Sequence, residues 1–225
     1  TLCAAQGVKE FIVALGYKAS VIKNYFLHFN ALQHDLSINL ASGEVHYHRQ
    51  SSDGWKVHLI DTGVETMTGG RIRRLARFLE EEPYFLLTYG DGLANIDLAA
   101  LERFHLSHGK PATVTAVRMP ERFGRLVLDG DQVLAFAEKP ERSATWINAG
   151  FFILDRACLS LIQGDSTVWE REPVERLAAS GDLMAYRHDD FWCGVDTPND
   201  LHYLESLWRE GRAPWAPSNL RKASA

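Results

Sequence analysis

The chain has 225 residues and 46% hydrophobic content, enough for one ordinary core or one core with a small appendage. Its net charge of -5 argues against a general nucleic-acid binder. Cys3, Cys158 and Cys193 form no CxxC pair and suit a reducing cytosol, and no apolar run reaches the length of a membrane span.

Gly7 is expected to close a short N-terminal helix. Residues 11–15 are an apolar run ending at Gly16, which predicts a buried strand. Residues 17–29 are predicted helical, because Val21, Tyr25 and Phe29 recur at i+4 with Ile22 and Phe26 beside them. Residues 37–40 and 57–60 alternate as strands. Between them His46 and His48 share one strand face, a spacing open to a metal. With no third ligand in sequence reach, an exposed strand face is the better reading.

Met67-Thr68-Gly69-Gly70-Arg71 leads into a helix whose apolar stripe is Ile72, Leu75, Phe78 and Leu79. A Thr-Gly-Gly turn at a helix N-terminus offers backbone N–H groups to a flat or anionic ligand, or is an ordinary cap. Of the basic run Arg71, Arg73 and Arg74, most is expected to be solvated face, with Arg71 nearest the turn.

Phe85-Leu86-Leu87-Thr88-Tyr89-Gly90-Asp91-Gly92 organises the chain. Three apolar residues predict a strand buried on both faces, and it stops at an acid between two glycines. In open α/β sheets ligands bind beyond the carboxyl ends of strands. A carboxylate there can hold a hard divalent cation. By itself an Asp-Gly pair is more often a plain turn.

Asp97 and Gly109 bracket a helix over residues 98–108, and residues 112–117 form a strand. Asp129-Gly130 marks a hairpin that ends in Glu138-Lys139-Pro140. Asn148-Ala149-Gly150 runs into a buried strand over residues 151–154. A helix follows over residues 169–179, then a short strand over residues 183–186. Thr197-Pro198-Asn199-Asp200 reads as a capping box opening a last helix with a Leu201, Leu204, Trp208 stripe. The strand–helix alternation predicts an α/β fold with a mixed, Rossmann-like sheet. One domain over residues 1–215 and a loose tail over residues 216–225 are expected.

Asp91, Asp196, Lys139 with Glu138, and Asn148 now share a theme: two carboxylates, an ammonium and polar groups suited to a sugar phosphate and a nucleoside triphosphate. The order resembles the sugar nucleotidyltransferases, and most closely their glucose-1-phosphate cytidylyltransferase branch. The likeness runs from Gly7 to about Trp215. Met67-Thr68-Gly69-Gly70-Arg71 and Thr88-Tyr89-Gly90-Asp91-Gly92 carry the cytidylyltransferase-like forms. Arg122-Phe123-Gly124, Glu138-Lys139-Pro140 and Ile147-Asn148-Ala149-Gly150 extend it.

The resemblance implies the nucleotide-diphospho-sugar transferase fold and the reaction of CTP with glucose 1-phosphate to CDP-glucose and pyrophosphate. Asp91 and Asp196 would hold Mg²⁺, and Lys139 would meet the sugar phosphate. Gly124, Glu138 and Asn148 would contact the sugar, and Thr68, Gly69, Gly70 and Arg71 would lie at the nucleotide. Tyr89, Gly90 and Gly150 join the substrate-binding set. No membrane or nucleic-acid partner is expected, and copies are expected to form a homo-oligomer in the cytoplasm. The family opens with a strand and a Gly-x-Gly-Thr-Arg loop that this sequence lacks. The chain is therefore expected to be N-terminally truncated and, alone, neither active nor comfortably stable. Two other readings stand: a sibling enzyme using another triphosphate, and a non-catalytic sugar-nucleotide-binding module.

Overall fold

The computed structural model describes residues 2–48, 54–118, 125–137 and 145–216. They fall into two compact units. The first is built mainly from Cys3–Glu82 and Leu159–Glu175, the second from Pro83–Cys158 and Arg176–Ala225.

The first unit opens with helix α1 (Leu2–Ala5), which Gly7 closes in the left-handed region. Strand β1 (Glu10–Leu15) follows, then α2 (Ala19–Leu27) and α3 (Phe29–Gln33). The helix expected over residues 17–29 is thus two, because His28 leaves helical dihedrals and turns its N–H and its ring to the Asn24 carbonyl. Its stripe is not core either: Val21 is 58% and Tyr25 47% exposed. Strands β2 (Leu36–Ile38) and β3 (Val45–Tyr47) make an antiparallel ribbon. His46 and His48 meet edge to face on it, both exposed, and His48 bonds Ser37 Oγ. Strand β4 (Lys56–Asp61) pairs in parallel with β1 in full register, and α4 (Thr68–Leu75) buries Ile72 and Leu75. Thr62, just past β4, donates its N–H and its hydroxyl to the Leu15 carbonyl, each at 2.8 Å.

The second unit contains β5 (Tyr84–Thr88), β6 (Gly92–Ala94), α5 (Leu98–His108), β7 (Ala112–Val117), β8 (Arg125–Asp129), β9 (Gln132–Ala137) and β10 (Ile147–Asp155). After α6 (Glu172–Ala179), which starts three residues later than expected, come β11 (Leu183–His188), β12 (Trp192–Gly194) and α7 (Pro198–Arg209). The main sheet runs β11-β7-β10-β5. β7 and β11 are parallel, and β10 is antiparallel to both β7 and β5. Leu101 and His105 of α5 are buried, and Leu101 packs with Val117, Phe151 and Ile153.

Two caps form as the sequence predicts. Asp97 accepts from Ala100 N–H at 2.9 Å, and Gly109 ends α5 in the left-handed region. The organising strand differs from expectation. β5 lies at the edge of its sheet with β10 as its partner, so Phe85, Leu86 and Leu87 are half-buried rather than covered on both faces.

Candidate active site

Asp91 stands three residues past Thr88, the end of β5, is exposed, and immediately precedes β6. β6 pairs with β12 so that Gly92 faces Gly194. One step further, Val195 N–H donates to the Asp91 carbonyl at 2.8 Å. Asp196 comes next and is also exposed. A pairing between segments a hundred residues apart therefore brings both residues to one end of a two-stranded ribbon. Asp200 Oδ2 accepts from Asp196 N–H at 3.2 Å and from Thr197 N–H at 2.8 Å, and Thr197 as N-cap with Asp200 at N3 forms the capping box of α7.

The donor chemistry suits Mg²⁺. Two carboxylates are hard oxygen ligands, and Mg²⁺ keeps several waters or phosphate oxygens besides one or two protein carboxylates. Among the described residues no group of three or more His, Cys, Asp or Glu side chains converges.

Asn148 sits on a bulge. The register of β10 against β7 shifts between Asn148 and Phe152, and Gly150 takes φ 81°. Asn148 Oδ1 accepts from Gly150 N–H at 2.8 Å, which leaves the amide's N–H₂ end facing outward, 3.5 Å from the Tyr89 hydroxyl. Tyr89 N–H donates to Gly150 O at 3.2 Å. A Cβ on Gly150 would lie 2.5 Å from the Tyr89 ring, so only glycine fits both the dihedral and the contact. Trp192 Nε1–H donates to Ala149 O at 2.9 Å and clasps the bulge from the other side. A Cβ on Gly194 would lie 3.4 Å from the Trp192 ring and 3.6 Å from Asp196 Oδ2. The indole thus bonds the Asn148 bulge, and Gly194 lies close to both the indole and the Asp196 carboxylate. Sequence reasoning missed Trp192, and nothing local marks it. A cavity of about 530 Å³ opens at the Asp91 turn, lined by Asp91 and walled by Leu201, Leu204, Trp208 and Trp215. Of the expected stripe α7 buries Leu204, together with Leu207, while Leu201 and Trp208 are the cavity's half-open wall.

In the first unit, Gly69 and Gly70 form the first turn of α4 and are buried. Their missing side chains make room for the chain itself. A Cβ on Gly69 would meet Thr167 O at 2.8 Å, and one on Gly70 would meet Asp165 Cα and O at 2.6 Å. Met67 N–H donates to Asp165 O and Gly70 N–H to Thr167 O, so part of the helix's N-terminal donor set is already taken. Thr68 Oγ1 donates to Glu170 Oε2 at 2.6 Å and accepts from Trp169 N–H at 2.9 Å.

Arg71 reaches the ends of both strands, donating to Leu15 O at 3.1 Å, Thr62 Oγ1 at 2.8 Å and Val64 O at 3.2 Å. Arg73 bonds Gln163 O, and Arg74 grips Asp165 through two bonds, holding that carboxyl below the usual range. Arg73 and Arg74 are exposed, as expected of a solvated face, and they also anchor residues 163–165.

The predicted residues thus gather in two groups. Tyr89, Gly90, Asp91, Asn148, Gly150 and Asp196 lie in the second unit, and Thr68, Gly69, Gly70 and Arg71 in the first. Gly124, Glu138 and Lys139 lie outside the described residues.

The nucleotidyl transferase family model matches residues 4–209. The chain belongs to the nucleotidyl transferase family. It is 44% identical over 212 residues to the glucose-1-phosphate cytidylyltransferase of Salmonella typhi, covering 94% of this chain and 82% of that one. It is 39% identical over 210 residues to the probable glucose-1-phosphate cytidylyltransferase of Bacillus subtilis (strain 168), covering 93% and 82%. Among solved structures, HddC from Yersinia pseudotuberculosis aligns over 90% of this chain and 80% of its own, with TM-score 0.63 and 21% identity. That likeness shows the shared nucleotide-diphospho-sugar transferase fold of this family. Among the described residues no helix is long and apolar enough to cross a membrane.

Proposed function

We propose that this family member makes CDP-glucose and pyrophosphate from CTP and glucose 1-phosphate. The observation that carries the reading is the β6–β12 pairing, which delivers Asp91 and Asp196 together beyond the carboxyl end of β5. The two cytidylyltransferase relatives supply the substrate pair.

An oxygen of the sugar phosphate attacks the α-phosphorus of CTP in line. The bond from that phosphorus to the bridging oxygen breaks, and pyrophosphate leaves with the electron pair. The attacking phosphate is already ionised near neutral pH, so no general base is needed. The protein's task is positioning and charge neutralisation. Asp91 and Asp196 would hold Mg²⁺, which when bound offsets charge on the phosphates. Asn148, its carbonyl oxygen occupied by Gly150, offers N–H donors to a sugar hydroxyl. Tyr89, Gly90 and Gly150 shape the sugar side of the site. Thr68, Gly69, Gly70 and Arg71 flank the nucleotide. By family resemblance Lys139 meets the sugar phosphate, and Gly124 and Glu138 the sugar. The free thiols Cys3, Cys158 and Cys193 fit a cytoplasmic setting. The exposed apolar side chains Tyr17, Val21, Ile22 and Tyr25 offer copies a surface for homo-oligomer formation.

Pyrophosphate release with glucose 1-phosphate and each of CTP, UTP, dTTP and GTP tests the assignment. CTP is expected to exceed the others at least about tenfold, because a site built around a ring amino group leaves a buried acceptor unpaired without it. Equal turnover with UTP would reject the cytidylyl assignment and leave a sibling nucleotidyltransferase.

A further inference from the structure

Two guanidinium groups share one indole at the carboxyl edge of the second unit's sheet. Arg118 lies 4.7 Å and Arg187 5.6 Å from the centre of the Trp146 ring. Arg118 follows β7, and Arg187 is near the end of β11, parallel to it. Ligands of open α/β sheets bind beyond this edge.

The register places the pair beside the sugar-reading bulge. Ala116 pairs with Asn148 on one side and with Arg187 on the other. Directly opposed residues in a sheet point to the same face, so Asn148 and Arg187 share a face with a single methyl between them. Their strands are two spacings apart, about 10 Å, a span suited to a hexose phosphate.

Among the described residues the charges are not balanced. Arg118 donates through Nη2 to Asp189 at 2.6 Å, but its Nε is buried without a hydrogen-bond partner. Arg187 is exposed, and among the described residues it pairs with no carboxylate. Two like charges on one ring repel. Among the described residues one carboxylate against two guanidiniums leaves a positive seat in a chain of net charge -5. Stacked guanidiniums present planar donor forks, the geometry that grips phosphate oxygens.

We infer that Arg187 and Arg118, stacked on Trp146, seat the phosphate of the sugar 1-phosphate while Asn148 reads its sugar. The inference rests on the function proposed above. It adds a second cationic contact to the one that family resemblance gives to Lys139. Trp146 fixes both forks before substrate arrives, so little side-chain freedom is lost on binding.

The test is titration of the whole chain with glucose 1-phosphate, glucose and inorganic phosphate. The guanidinium Nε–H resonances of Arg118 and Arg187 are followed by nuclear magnetic resonance. Glucose 1-phosphate and phosphate should shift both, and glucose neither. Arg187→Gln, an exposed change that should leave the melting curve intact, should weaken glucose 1-phosphate at least tenfold and MgCTP less than twofold. Arg187→Lys should fall between. Unshifted arginine resonances, or unchanged glucose 1-phosphate affinity in Arg187→Gln, would overturn the seat. A larger loss for MgCTP would overturn it too, by giving the pair to the triphosphate. If glucose 1-phosphate shifts both arginines but no CDP-glucose forms, the seat stands and the catalytic reading fails. If CDP-glucose forms equally well with Arg187→Gln, the reverse holds.

Discussion

The indole N–H of Trp192 donates to the backbone oxygen of Ala149 at 2.9 Å, joining the strand that leads to Asp196 to the bulge that carries Asn148. Phenylalanine at 192 keeps much of the ring and removes the donor. Ala149 is buried, and an unsatisfied buried carbonyl costs about 1–3 kcal/mol. Trp192→Phe is therefore expected to lower stability by that amount in urea titration. It should also speed amide exchange at Tyr89 and Gly150. Exchange unchanged at both amides would mean that the bulge holds itself.

Gly70→Ala is expected to cost about 1–3 kcal/mol, the usual penalty for overpacking against atoms that cannot move aside. Its new methyl would sit 2.6 Å from backbone atoms of Asp165, and Gly69→Ala 2.8 Å from a backbone oxygen of Thr167. Gly90→Ala meets nothing within 4 Å and should fold like the parent. Lost sugar-phosphate binding in Gly90→Ala would then report on the site alone. Denaturant midpoints for the three variants check the ranking.

Those glycines show what the sequence can and cannot disclose. Local chemistry was legible. The Thr197, Pro198 and Asp200 box, the Asp97 and Gly109 ends of α5 and the Asp129-Gly130 hairpin all form as their residues dictate. So does the acidic stop after β5. Distant pairings were not legible. Nothing near Gly69 and Gly70 announces that residues 165–167 will cross them, so their smallness read as room for a ligand. Trp192 matters only because β12 lies beside the bulge of β10. Phe85, Leu86 and Leu87 carry the composition of a central strand, and only pairing decides that they sit at an edge. Asp91 and Asp196 could be named from family motifs, but their approach depends on the β6–β12 register.

A chain of hydrogen bonds under the sheet predicts acid sensitivity. Lys110 N–H donates to His108 Nδ1 at 2.9 Å, so neutral His108 carries its proton on Nε2, facing Thr113 Oγ1 at 2.8 Å. The Thr113 hydroxyl then donates to His105 Nδ1 at 2.8 Å, and His105 Nε2–H to Asp155 at 3.1 Å. Burial, with His105 adding to it, lowers the His108 pKa from 6.5. The unfolded chain therefore takes up this proton first as pH falls. The contribution is fully present above 6.5 and is lost as pH drops toward the lowered folded value. One proton sets a slope of at most about 1.4 kcal/mol per pH unit. Urea midpoints between about pH 5 and 8 should show this slope, and His108→Gln should flatten it.

Cys158 is buried, and burial with the nearby Asp155 and Asp182 carboxylates pushes its thiol up to about 12. The thiolate is the reactive form, so iodoacetamide at mildly alkaline pH should spare Cys158 in the folded chain and label it in urea. Mass spectrometry of the alkylated peptides reads this directly.

Asp91 and Asp196 are proposed as joint ligands of one divalent ion. Mn²⁺ titration followed by electron paramagnetic resonance tests this most directly, with Mn²⁺ standing in for Mg²⁺. The parent chain should bind one ion, and Asp91→Asn and Asp196→Asn should each weaken it at least about tenfold, since each removes one of two hard anionic ligands. Neither change should disturb the fold, because Asp200 holds the cap of α7 and Asp91 contributes its backbone carbonyl to the ribbon. Mn²⁺ bound by both variants as tightly as by the parent would contradict the shared site.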